Sequence, residues 1–114
     1  MKKENHLEKA KRIEMSFGKL DKEKDWELIV EGIYGAAQHF ISYYCDLKIG
    51  KHIETHKGLI RFLKEENFDE LANKFQRLDE LRIGKWYGNQ VNGETVELAF
   101  EVLKEIKNMI KDEK

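Results

Sequence analysis

GIYGAAQHFISYYC, residues 32–45, decides the fold. Asp, Glu, Lys and Arg make up 38% of the chain, yet these fourteen consecutive residues contain none of them. A solvated helix would not be written this way. Ile33, Ala37, Phe40 and Tyr44 recur at helical spacing, and Ile29 and Leu47 extend that line. Tyr34, Ala37, Ile41 and Cys45 form a second line beside it. Two apolar stripes describe a helix packed on more than one side. Gly32, Gly35, Ala36 and Ala37 are small, so a neighbour can approach closely here. Two glycines inside a helix cost about 1 kcal/mol each relative to Ala, and close packing accounts for tolerating them. The stretch is too short and too polar to cross a bilayer, which takes about 20 apolar residues.

Outward from this segment, the central helix is expected from about Asp25 to Ile49, with Gly50 as its stop. Before it, Leu7, Ala10, Ile13, Phe17 and Leu20 give residues 3–20 the stripe of an amphipathic helix, and a charged link follows. After it, Thr55 is the expected N-cap of a short third helix carrying Leu59, Ile60, Phe62 and Leu63. Asn67, three residues before Glu70, resembles a capping box opening a fourth helix with Phe68, Leu71, Phe75, Leu78 and then Leu81 or Arg82, running to about Trp86. Residues 88–93, GNQVNG, read as a loop, and Asn92 as the cap of a last helix striped by Val96, Ala99, Leu103, Ile106 and Ile110. No segment alternates with period two. The expected fold is all-α: one domain, residues 1–114, an up-and-down bundle of four long helices and one short one.

The 114 residues suffice for one independent core. The formal net charge of −1 directs the chain toward neither nucleic acid nor a membrane. Locally the balance shifts. Residues 1–24 hold eight Lys or Arg against five acids, residues 25–47 hold four acids and no Lys or Arg, and residues 48–85 hold nine basic against seven acidic. Any positive surface therefore lies on the first helix or mid-chain. A single Cys forms no internal disulfide and no secretory signal precedes the first helix, so a cytoplasmic location is expected.

The most unusual cluster is residues 81–88, LRIGKWYG. Arg82 and Trp86 stand one turn apart on one face. Arg82 could hold a phosphate or carboxylate bidentately, with Lys85, Trp86 and Tyr87 beside it to carry charge and stack on a base. Equally, Arg82 could pair with Asp79 or a neighbouring helix while Trp86 closes the bundle. His39, with Tyr43 one turn on, is either a buried His bonded to a tyrosine or carbonyl, or a general acid or base. His52 and His56 have the spacing of a metal pair, but they straddle a helix start and lack a third ligand. Cys45 falls on an apolar stripe and reads as packing. With no phosphate-binding Gly loop and no Cys/His array, neither cofactor nor metal is expected.

YGAAQHF, residues 34–40, resembles the Tyr-x-Ala-Ala-x-His segment of HEPN-domain proteins. THKGLIRFL, residues 55–63, is similar to the Thr-His-x-Gly segment that follows in one branch of that family. LDELRIGKWYG, residues 78–88, looks like the branch's Leu-x-x-Leu-Arg-x-x-x-x-Tyr-Gly stretch. The resemblance implies a four- or five-helix bundle that pairs as a homodimer, beside a nucleotidyltransferase in toxin–antitoxin or related two-gene modules. It also implies, for active members, metal-independent RNA cleavage by an Arg and a His placed after four to six intervening residues, on two copies meeting at the dimer interface. The Arg would stabilise charge on the phosphate, and the His would move the proton of the attacking 2′-hydroxyl. Arg82 matches the Arg. The three positions open to the His hold Tyr87, Gly88 and Asn89. A tyrosine titrates near 10 and is a poor base at neutral pH.

The sequence therefore reads as a non-catalytic HEPN-like module that binds a nucleotide, RNA or a protein partner through Arg82, Lys85, Trp86 and Tyr87. The first alternative is a ribonuclease with a noncanonical base, for which His39 or His56 must approach Arg82. The second is a purely structural adaptor, with Arg82 in an interface ion pair. The two-sided apolar character of the central helix leaves room for a helix-on-helix dimer interface.

Overall fold

The computed structural model describes residues 3–50, 56–84 and 92–112. Among these residues there are five helices and no strand: α1 (Lys3–Gly18), α2 (Trp26–Ile49), α3 (His56–Glu65), α4 (Asp69–Gly84) and α5 (Gly93–Asp112). None is long and apolar enough to cross a membrane. The expected all-α bundle of four long helices and a short one is what the chain forms.

α2 is the axis. It packs against α1, α4 and α5, while α3 packs on α4 and α4 on α5. Both of its apolar lines are buried, through Ile29, Ile33, Tyr34, Ala37, Phe40, Ile41, Tyr44 and Cys45. Leu47 departs from expectation: it is 47% exposed. Apart from Leu47, the two apolar lines of α2 are thus buried within the chain, where α2 packs against α1, α4 and α5.

The small residues of α2 act at one point. A Cβ placed on Gly32 would lie 2.8 Å from Cδ2 and 3.0 Å from Cβ of Phe17 on α1. Phe17 is buried there and meets Phe100 of α5 edge-on, with ring centroids 5.7 Å apart. Gly35 is different, because its Cβ would make ordinary contact with Ile13 Cδ1 at 3.7 Å. Of the two, Gly32 is the one that close approach requires.

The charged link between α1 and α2 is tied by its own side chains. Asp25 Oδ2 accepts the Asp21 N–H at 2.8 Å, and Asp21 Oδ1 accepts the Glu23 N–H at 2.8 Å. The Trp26 indole N–H donates to the Lys22 carbonyl at 2.9 Å. At the far end of α2, Gly50 takes φ 64° and its N–H bonds the Asp46 carbonyl at 3.0 Å, the left-handed stop expected of a glycine.

Asn67 corrects the sequence reading. It does not open α4; it ends α3, with φ 66°. Its N–H reaches the Lys64 carbonyl at 3.2 Å and the Phe68 N–H reaches Leu63 at 2.8 Å, the paired bonds of a Schellman motif. Asn favours both a helix cap and a left-handed turn, so its identity does not choose between them. The Phe68 carbonyl accepts the Ala72 N–H at 3.0 Å and so begins α4. The cap on α5 is as expected. Asn92 Oδ1 accepts the Thr95 N–H at 3.1 Å, and Thr95 Oγ1 accepts the Asn92 N–H at 3.3 Å, a reciprocal box with Thr in the third position. The expected Thr55 cap and residues 88–91 of the expected loop lie outside the described residues.

Candidate functional site

Arg82 stands on the last turn of α4, four residues beyond Leu78 and seven beyond Phe75, both fully buried. That register turns its stem toward α2. Its guanidinium carbon lies 4.4 Å from the centre of the Tyr34 ring. Tyr34 in turn stacks on Phe75, with centroids 4.8 Å apart and planes inclined by 22°. A cation, a phenol and a phenyl ring thus form one column between α2 and α4. A partly buried cation–π contact of this kind contributes on the order of 1 kcal/mol.

Two carboxylates surround the cation. Asp79 Oδ1 accepts from Arg82 Nη2 at 2.7 Å and from Nε at 3.2 Å. Glu31 Oε1 lies 3.9 Å from Nη1. The Arg82 and Asp79 side chains are 23% and 27% exposed, so the pair is half-screened by protein. Burial opposes the charge on Arg82, but the hydrogen bond and charge of Asp79, with Tyr34 and Glu31, outweigh it and raise the pKa. Tyr34 is pushed up to about 12, first by burial and then by Asp79, while Arg82 pulls the other way. At neutral pH the cluster therefore joins a permanent cation and a neutral phenol to two acids. None of these four residue types is a ready proton shuttle at pH 7 in the way an imidazole is.

Of the readings of Arg82, pairing with Asp79 and with the neighbouring helix describes its geometry. Tyr34 and Glu31 complete the cluster from α2, 48 and 51 positions earlier in the chain. The sequence reading places Tyr34 in the core and in the Tyr-x-Ala-Ala-x-His segment, not beside Arg82, and does not single out Glu31. Lys85, Trp86 and Tyr87 lie outside the described residues, as do His52 and the side chain of His56.

His39 belongs to another part of the molecule. Its Nδ1 is 2.9 Å from Nδ1 of His6 on α1, and the two rings are 5.2 Å apart at 34°. His39 follows Tyr34 by five residues, about 140° around α2, which turns it toward α1 while Tyr34 faces α4. The structure brings His39 to His6, not to Arg82. His6 is absent from the sequence reading, though a signal exists: it precedes Ala10 by four residues and Phe17 by eleven, on the buried line of α1.

Cys45 is 1% exposed, and burial pushes its thiol up to about 12, with Glu66 adding to the effect. A thiol so held is a poor nucleophile, and its packing role stands. Among the described residues no three His, Cys, Asp or Glu side chains converge as a metal site would require.

The chain matches the family model described as HEPN domain over residues 4–114. No curated protein and no solved structure is a significant match.

Proposed function

The chain belongs to the HEPN-domain family, and we propose that within it this protein is a non-catalytic cytoplasmic module that acts by binding a protein partner through the face around Arg82. One observation supports this above the others: the hydrogen-bonding edge of Arg82 is occupied by Asp79, with Glu31 close by and Tyr34 beneath. An RNA phosphate would have to displace a carboxylate and approach a second one. Protein surfaces, which carry cations, amides and apolar groups, meet no such barrier. Leu28, 61% exposed, lies one turn from Glu31, so the face also offers apolar contact.

The missing His supports the non-catalytic half of the proposal. Tyr87, Gly88 and Asn89 occupy its window, and His39 is engaged with His6. The class of partner is the one that the family resemblance implies, a nucleotidyltransferase-type protein in a toxin–antitoxin or related module. Pairing as a homodimer is proposed on the same ground, and not on the apolar lines of α2, which are used within the chain.

The test is a denaturing gel of end-labelled RNA incubated with the protein in EDTA, beside Arg82→Ala. Intact RNA in both lanes is expected. Cleavage by the wild type that the substitution abolishes would replace this reading with a metal-independent ribonuclease. A mobility-shift assay at low salt completes it: Arg82-dependent RNA binding by the wild type would overturn the choice of a protein partner.

A further inference from the structure

Arg82 carries a fixed charge and is 23% exposed, so its surroundings should draw anions. The geometry points to Asp79 as the residue that prevents this: it occupies, as an internal ligand, the edge of Arg82 that a phosphate or carboxylate would take, and so sets the sign of charge that the α2–α4 face accepts. This rests on the reading of that face as the contact surface, and it adds the residue that determines what the surface selects.

The donor inventory supports the assignment. A guanidinium has five N–H groups, and it grips an oxyanion best through two parallel ones. Nε and Nη2, which form one such edge, both end on a single oxygen of Asp79. Nη1 faces Glu31 at 3.9 Å. An incoming anion thus meets two carboxylates around one cation. Nor can the cation be turned off and on by protons, since its pKa is raised from an already high value. Tyr34 stays neutral beneath it.

Asp79 is also built to be removable. It sits three residues from Arg82 on the same helix and is partly exposed. Pairs of that spacing contribute little to the stability of a helix. The core column of Tyr34 and Phe75 does not depend on it. Asp79→Asn therefore changes charge while nearly preserving shape.

The experiment compares the wild type, Asp79→Asn, Glu31→Gln and Asp79→Asn with Arg82→Ala. Each is titrated by calorimetry with inorganic pyrophosphate and, separately, with a short 5′-phosphorylated RNA, at low ionic strength. Asp79→Asn is expected to bind pyrophosphate about 10-fold more tightly than the wild type, because it removes a negative charge beside the guanidinium and leaves only a weaker, neutral acceptor for the anion to displace from the bidentate edge. Glu31→Gln should gain less, since its oxygen is farther from the guanidinium. Adding Arg82→Ala should cancel the gain, and raising salt should shrink it. Equal affinities in the wild type and Asp79→Asn would overturn the assignment, as would a gain that survives Arg82→Ala. Asp79→Ser serves as a second neutral variant, and unfolding midpoints establish that each protein is folded. The two proposals fail separately: Arg82-dependent RNA binding by the wild type sinks the protein-partner reading, whereas the Asp79 assignment falls on the ratio between variant and wild type.

Discussion

His6 and His39 face each other through their Nδ1 atoms at 2.9 Å, across the α1–α2 interface. A hydrogen bond between two such nitrogens requires one ring to donate and the other to present a lone pair. At least one imidazole is therefore neutral in this arrangement. Removing either ring should cost about 1–3 kcal/mol, since the other loses this contact in a largely buried site. A double-mutant cycle of His6→Ala and His39→Ala, followed by urea unfolding, should give a coupling of about 1 kcal/mol. Additive effects would mean that the pair does not fasten α1 to α2.

The two glycines of α2 should respond in opposite directions. Gly32→Ala drives a methyl group into Phe17, and we expect a loss of about 1–3 kcal/mol by overpacking. Gly35→Ala meets only ordinary contact and relieves the helix of a glycine, for a gain of up to about 1 kcal/mol. Chemical denaturation of both variants checks this, and a stabilised Gly32→Ala would contradict the close approach.

Asn92 should behave as a cap and not as a generic loop residue. Asn92→Ala is expected to cost about 1 kcal/mol and Asn92→Asp much less, because Asp retains the accepting oxygen. Thermal unfolding of the two variants distinguishes the cap from a loop position, where both would be near neutral.

Stability should decline in alkali because two acidic groups are held neutral by the fold. Burial raises Cys45 from 9.0 to about 12 and Tyr34 from 10.0 to about 12. The associated stability is complete below the ordinary value and is lost as pH climbs from there through about 12. Urea midpoints should therefore fall from about pH 9 upward, with Tyr34→Phe flattening the fall above about pH 10. The same burial should keep Cys45 unreactive toward thiol reagents in the native protein at about pH 8, and rapid labelling without unfolding would count against it.

How much of this is legible in the sequence depends on the range of the interaction. Periodicity locates α2 because fourteen uncharged residues in a row, within so charged a chain, can only be stable against water when they are buried. Gly50 and Asn92 are local signals whose bonding groups lie within four residues. Asp79 is within reach as well, three residues from Arg82. Tyr34 and Glu31 are not legible beside Arg82, because their approach depends on how α4 crosses α2, which no local pattern encodes. Leu47 continues the stripe of α2 but remains exposed, which shows that a periodic pattern does not reveal where burial stops. His6 escapes notice because a polar residue on an apolar line looks like a gap in that line.

The seating of α1 on α2 has a consequence for how the chain reaches its fold. These two helices are neighbours in sequence, joined by a link that hydrogen-bonds to itself, and their closest approach, Phe17 on Gly32, spans only fifteen positions. Their contact can form before α4 and α5 have left the ribosome, at little loop-closure cost. The resulting hairpin would act as the folding nucleus on which the later helices condense, and Phe17→Leu should slow refolding more than it speeds unfolding.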